Sequence, residues 1–143
     1  MISCTEFIPA YSELFKYIEE IDGEEGVLKY WEHISDEGLN QLRDLVKKHG
    51  IRGCFLYWSH TLNEEAADFT MTLDEEKGEF EIKMHYCPSK GRLLEIDHIE
   101  PYHNYCGHCD VLYRRVLEGL GYKYYYDMSE CSKARCSLKV VKK

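Results

Sequence analysis

The sequence predicts an α+β fold, with an N-terminal helical layer packed on an antiparallel sheet of about four strands. Three observations predict it. Apolar residues recur at helical spacing through the first third of the chain, and two short runs either side of a charged turn alternate apolar with polar. A helical crossover then separates that hairpin from a second pair of strand-like segments, so the order is hairpin, crossover, hairpin. No repeat, linker or low-complexity stretch divides the 143 residues, which are read as one domain, residues 1–143.

Pro9 suits a first helical turn, where a missing N–H costs nothing, and Tyr11, Leu14, Phe15, Ile18 and Ile21 follow at helical spacing until Gly23. A second short helix is expected from Glu24 to Ile34, with Val27, Leu28, Trp31 and Ile34 on one side. Ser35 is expected to cap a third, striped by Leu39, Leu42, Leu45 and Val46 and closed by Lys47, Lys48 and Gly50. From Ile51 to Ala67 composition fits strand or helix, and the reading leans to helix or irregular turn. Phe69, Met71 and Leu73 then alternate with threonines, as Phe80, Ile82, Met84 and Tyr86 do with charged residues, across the turn Asp74 to Gly78. Pro88 opens a short helix carrying Leu93, Leu94 and Ile96, and a loop through Pro101 leads to an amphipathic helix with Val111, Leu112, Val116, Leu117 and Leu120, ended by Gly119 and Gly121. Tyr122 to Asp127 and Cys136 to Val141 are the last two strands. The sheet face away from the helices could line a pocket, and the pocket expected for the chemistry lies between the sheet and the helix starts at Cys87 and Cys106.

Composition narrows the function. Apolar content of 44% with 31% charge is that of a folded globular protein, and no apolar run approaches the ~20 residues of a membrane span. Met1 to Glu6 lacks the basic start and apolar centre of a secretory signal, so the expected location is cytoplasmic. A net charge of −8, with basic residues gathered only in the tail from Lys133 to Lys143, argues against a nucleic-acid partner. Seven cysteines is an odd number, which favours reduced thiols, metal ligation or catalysis over a disulfide framework. Cys54, within Gly53-Cys-Phe-Leu-Tyr-Trp58, reads as buried and inert.

Chemistry concentrates between Tyr86 and Tyr113, which hold three of the seven cysteines, three of the seven histidines and two of the three prolines. Cys87 closes a strand, and His103-Asn-Tyr-Cys106-Gly-His108-Cys109-Asp110 opens a helix. Two intervening residues put the Cys106 and Cys109 sulfurs on one side of a first turn, where a metal or a disulfide can bridge them. The helix start also favours thiolate, at Cys106 above all.

Three chemistries use these residues. Cys106-Gly-His-Cys109 is the tetrapeptide of protein disulfide isomerases, but a thioredoxin fold needs an apolar strand before it and a cis-proline loop after it, and no proline follows Pro101. A zinc or other soft-metal site would draw on Cys87, Cys106 and Cys109, with His103, Cys131 or Cys136 as fourth ligand. Metal-free thiol catalysis would use Cys87 as nucleophile, with His85, His103 or His108 as base, Asp110 orienting the imidazole, and N–H groups at the helix starts stabilising an oxyanion.

Over roughly Phe80 to Asp110, a strand ending in Cys87, a short helix, and Cys109-Asp110 opening another helix, the chain resembles the L-2-amino-thiazoline-4-carboxylic acid hydrolase family of small bacterial proteins. The resemblance implies opening of a cyclic C–N bond in a cysteine-related thiazoline. His108, the complete Cys106–Cys109 tetrapeptide and the Cys131/Cys136 pair lie outside that pattern.

The remaining residues have plainer readings. His33, His49 and His60 read as solvent-facing or capping, His98 as a loop residue or a ligand, and Glu64-Glu65 as a solvated turn. Tyr122, Tyr124, Tyr125 and Tyr126 read as sheet packing with hydroxyls at the margin. The sequence thus points to a small-molecule hydrolase whose catalytic residues are Cys87, His103, His108 and Asp110. Its alternative is a zinc-binding sensor held by Cys87, His103, Cys106 and Cys109. The partner in either case is a small molecule, without nucleic acid or membrane, and homodimer formation is left open.

Overall fold

The structure, a computed structural model, describes residues 6–143; the reading of the first five residues, Cys4 included, lies outside them. Five helices and one four-stranded antiparallel sheet form the α+β architecture expected. Helix α1 spans Phe7–Gly38 in two limbs that meet at Gly23, whose φ of 71° is open to glycine and costly to other residues. The first limb buries Ser12 and Phe15, and the second buries Val27, Trp31 and Ser35 on a stripe spaced four residues apart.

Ser35 is not the helix cap that the sequence suggests. The helix runs through it to Gly38, because the Ser35 hydroxyl lies on the buried stripe and donates to the Leu112 carbonyl oxygen at 2.7 Å instead of to its own helix. The break falls at Leu39, after which α2 spans Asn40–His49. Helix α3, Arg52–Glu64, resolves the ambiguous segment: the run around Cys54 is helical, with Cys54, Tyr57, Trp58 and Leu62 buried.

Strands β1 (Asp68–Asp74) and β2 (Glu79–Tyr86) form the expected hairpin, and β3 (Tyr122–Asp127) and β4 (Cys136–Lys142) form the second. The order is β1-β2-β4-β3, so the last strand of the chain pairs with β2 at the centre. Period-two side chains then set the buried face row by row: Leu73 opposite Phe80, Phe80 opposite Val140, and Val140 opposite Tyr124. Trp58 of α3 stacks on Phe80 with ring centroids 5.5 Å apart, which joins the helices to that face. Helices α4 (Pro88–Glu95) and α5 (Gly107–Gly119) make the crossover between the hairpins. No helix among the described residues is long and apolar enough to cross a membrane.

Candidate active site

Register brings the cysteines together. Met84 lies opposite Cys136 in the β2–β4 ladder, so Cys136 faces the helices at the end of the sheet where β2 runs into Cys87. The Cys87 N–H donates to the Ala134 carbonyl oxygen at 2.8 Å, which draws the β3–β4 connection across that end. Ala134 takes a left-handed conformation, φ 57°, and is buried, and the short 3-10 turn Cys131–Lys133 precedes it. Above this end α5 begins, with Cys106 at its N-cap and His108 and Cys109 in its first turn.

The outcome is a cavity of about 180 Å³ whose wall includes Cys87, Cys106, Cys109, Cys131 and Cys136. All five are free thiols, as is the sixth described cysteine, Cys54, which lies in the core of α3 as expected and whose burial pushes its thiol up to about 12. Trp58, Leu62, Tyr113 and Tyr126 supply apolar wall, while Lys90 and Arg135 bring cationic groups. The size is close to that of an apolar protein cavity of ~150 Å³ that admits benzene, so one small ring fits. This cavity lies between the sheet and the helix starts at Cys87 and Cys106, on the helix-covered face and not on the opposite one. The reason is the side-chain alternation, which sends Ile82, Met84, Leu138 and Tyr126 toward α3 and α5.

His108 enters from above through an aromatic box. Its ring centroid lies 4.8 Å from Tyr105, 5.4 Å from Tyr11, 5.7 Å from Phe15 and 6.4 Å from Trp31. Burial among these rings lowers its pKa to about 4, against a hydrogen bond to the Tyr105 carbonyl that acts the other way. That carbonyl can only accept, so Nδ1 carries the proton and Nε2 presents its lone pair. Nε2 lies 3.4 Å from Cys109 Sγ. At neutral pH the pair is thiol and neutral imidazole, because burial raises the Cys109 thiol well above its usual value.

The other thiols are held differently. Cys87 is the N-cap of α4 and its sulfur accepts the Lys90 N–H at 3.5 Å; burial nevertheless raises its pKa, chiefly over the N–H groups of Lys90 and Ser89 that lower it. No histidine is hydrogen-bonded to it, so the imidazole expected beside Cys87 stands beside Cys109 instead. His85, on the exposed side of β2, pairs with Thr70 at 2.7 Å. Cys106 does not become the low-pKa thiol that its helix-start position suggests. The neighbouring Cys131 side chain and burial both push it up, while Cys131 is drawn below its usual value by Cys106. Both Cys131, from across the fold, and Cys109, three residues on, act on the Cys106 thiol. Burial raises the Cys136 thiol to about 11, against the Tyr126 side chain, which lowers it.

Two expected site residues do not join the cavity. His103 is exposed and bonds Glu19 Oε1 at 2.9 Å on the α1 side, where Tyr102 also reaches Glu19 at 3.1 Å. Among the described residues, Glu19, Glu24 and His103 are the one trio of such side chains with ligand atoms within 4.8 Å of one another. The cavity sulfurs are spread more widely, so the set Cys87, His103, Cys106 and Cys109 is not assembled as a tetrahedron. Asp110 does not orient an imidazole: it binds Arg114 at 2.7 and 3.0 Å, and Arg114 continues to Glu118 at 3.1 Å and the Tyr124 carbonyl at 2.8 Å. A carboxylate four residues before an arginine on one helix is satisfied locally.

Glu65 is a wall residue that the sequence reading placed in a solvated turn. It follows Trp58 and Leu62 at helical spacing, which is the signal that could have put it on the same face. Partial desolvation there, and Glu64 beside it, raise its carboxyl above the usual range. Tyr126 was equally findable, since alternation from the buried Tyr124 places both on one side of β3. No family model, curated protein or solved structure matches the chain.

Proposed function

We propose that the thiol-lined cavity is the active site of a hydrolase that opens a C–N bond in a small, sulfur-containing ring compound, with Cys109 as nucleophile and His108 as its base. The observation that carries this is the His108 Nε2 to Cys109 Sγ approach of 3.4 Å on the cavity wall. As sulfur adds to the electrophilic ring carbon, its proton passes to Nε2; His108 returns that proton to the departing ring nitrogen, and water then hydrolyses the carbon–sulfur adduct and restores the thiol. A neutral imidazole with a low pKa is a weak base but a strong acid once protonated, which suits delivery to a leaving nitrogen. Lys90 and Arg135 are suited to hold a substrate carboxylate, and the cavity volume suits one ring. These features agree with the resemblance to the thiazoline-carboxylate hydrolases, and the free thiols fit a cytoplasmic setting. The test is hydrolysis of 2-amino-thiazoline-4-carboxylate followed by loss of ring absorbance, in the wild type and in Cys109→Ser. Turnover that falls by ~10² or more in the variant is expected; turnover unchanged by it, or no turnover in the folded wild type, rejects the proposal.

The alternative, a zinc or other soft-metal sensor without turnover, draws support from five sulfurs on one wall. It requires side-chain rotation to gather four of them. Elemental analysis of protein purified without chelator separates the two readings, since the sensor demands about one equivalent of metal.

A further inference from the structure

Taking the thiol-lined cavity as the substrate site, as proposed above, we propose that Glu65 is its specificity-determining residue: the Glu65 carboxylate receives the cationic end of a small zwitterionic ring compound whose own carboxylate is held by Lys90 and Arg135. The placement of charge carries this. Among the described residues the cavity wall has three charged side chains, Glu65, Lys90 and Arg135. None of them makes an ion pair or a side-chain hydrogen bond among the described residues, whereas charges close by in sequence do: Glu64 meets His60 at 3.4 Å, and Lys133 meets Glu130 at 3.1 Å.

Each charge is set by a separate element. Glu65 ends α3, where its N–H donates to the Thr61 carbonyl oxygen at 3.1 Å, and helical spacing from Trp58 and Leu62 brings it to the face that lines the cavity. Lys90 lies in the first turn of α4, with its N–H donating to Cys87 Sγ at 3.5 Å. Arg135 follows the buried Ala134, whose carbonyl oxygen accepts from Cys87, and its own N–H donates to the Glu130 carbonyl oxygen at 3.2 Å. Glu65 and Arg135 are exposed as well as cavity-lining, which puts them where the cavity meets solvent. The carboxylate and the cations do not bridge one another, so the wall offers both signs of charge to a molecule that carries both.

Such a wall selects by what it refuses. A ring acid without a cation satisfies Lys90 and Arg135 but shares a small space with the Glu65 carboxylate, whose charged form partial desolvation and Glu64 already disfavour. A ring cation without a carboxylate meets the reverse repulsion at Lys90 and Arg135. A ring bearing an amidinium or ammonium group together with a carboxylate satisfies all three residues, and Trp58, Leu62 and Tyr113 supply apolar surface to the ring itself.

The experiment is isothermal titration of the full chain at neutral pH with matched five-membered rings that contain no C–N ring bond to open: cis-3-aminocyclopentanecarboxylate, cyclopentanecarboxylate and cyclopentylammonium. The zwitterion is expected to bind about tenfold or more tightly than either singly charged ring. Glu65→Gln should remove its advantage over cyclopentanecarboxylate, and Glu65→Lys should reverse it. Replacing Lys90 and Arg135 together by Met should remove the advantage over cyclopentylammonium. Equal affinity of the wild type for the zwitterion and cyclopentanecarboxylate, an undiminished preference in Glu65→Gln, or no binding of any of the three rings overturns the proposal. None of these readouts uses turnover. Selective binding without hydrolysis of 2-amino-thiazoline-4-carboxylate rejects the hydrolase alone, and hydrolysis without charge preference rejects the role of Glu65 alone.

Discussion

His108 is fixed between two partners of opposite demand: its Nδ1–H is held by the Tyr105 carbonyl, and its Nε2 faces the Cys109 thiol at 3.4 Å. Both groups are neutral because both are desolvated, and this makes His108 a titration centre for the fold as well as for chemistry. The unfolded chain protonates its histidine near the ordinary value of 6.5, while the folded protein resists until about pH 4.

Stability should therefore fall with acid. The depressed folded pKa means that the contribution is complete above pH 6.5 and is lost as pH drops toward 4, by about 2 kcal/mol between pH 7.5 and pH 5. Glu65, whose carboxyl is raised, acts in the opposite sense, whereas Asp36, Asp74 and Asp127 are held low by hydrogen bonds and lose theirs at still lower pH. Urea denaturation at the two pH values, in wild type and in His108→Gln, isolates the histidine: the difference between the proteins should shrink as pH falls. A pH-independent difference would falsify the assignment of a buried neutral imidazole.

Activity should be indifferent to the two polar residues that lie off the cavity. Asp110→Asn weakens the pair with Arg114, a half-exposed interaction contributing on the order of 0.5 kcal/mol after screening, and leaves the His108–Cys109 approach in place. His103→Gln affects only a surface contact with Glu19. Ring-opening rates of both variants on 2-amino-thiazoline-4-carboxylate are expected within about twofold of wild type, against ~10² for Cys109→Ser. A large loss in Asp110→Asn at unchanged stability would restore the carboxylate to the centre.

What the sequence made legible follows the reach of each interaction. Both hairpins, the Gly23 break and the two helix starts at Pro88 and Cys106 are local, and periodicity or backbone chemistry reports them directly. The convergence of Cys87 with Cys106 and Cys109 was anticipated from their places at element ends, and all three reach the cavity. What stayed hidden is long-range. Nothing near Ser35 in sequence announces that its hydroxyl meets Leu112, and nothing near Cys106 announces Cys131. His103 and His108 look alike in sequence; only the aromatic box, built from α1 and the loop before α5, separates the surface ligand of Glu19 from the buried base.

A buried hydroxyl helps to hold the back of that box. Ser12 is fully buried and accepts the Tyr102 N–H at 2.8 Å, tying α1 to the loop that carries Tyr102 and Tyr105. Ser12→Ala leaves that backbone donor without its partner and is expected to cost about 1–3 kcal/mol in urea denaturation. Because Tyr105 also bonds Ser89 of α4 at 2.7 Å, the loosening should reach the cavity, seen as faster alkylation of Cys109 in the variant. Unchanged stability and unchanged Cys109 labelling would show that the loop is held elsewhere.

Helices α2 and α3 meet at Gly53, where substitution sets propensity against packing. Alanine is favoured over glycine within a helix by about 1 kcal/mol, and Gly53 lies in the first turn of α3. A methyl group there would fall 2.4 Å from the Leu45 carbonyl oxygen and 2.6 Å from the Val46 Cα, backbone atoms that cannot rotate away. Gly53→Ala must therefore push α2 from α3, disturbing the contact that buries Leu42, Val46 and Cys54. Steric cost exceeds the propensity gain, and a net destabilisation of about 1–3 kcal/mol is expected by thermal or urea unfolding. Cys54 provides an independent reading of the same event. It is fully buried with a thiol pushed up to about 12, so it should resist alkylation in the wild type and react measurably faster in Gly53→Ala under native conditions. A variant as stable as wild type, with Cys54 still protected, would mean that the two helices can separate at no cost.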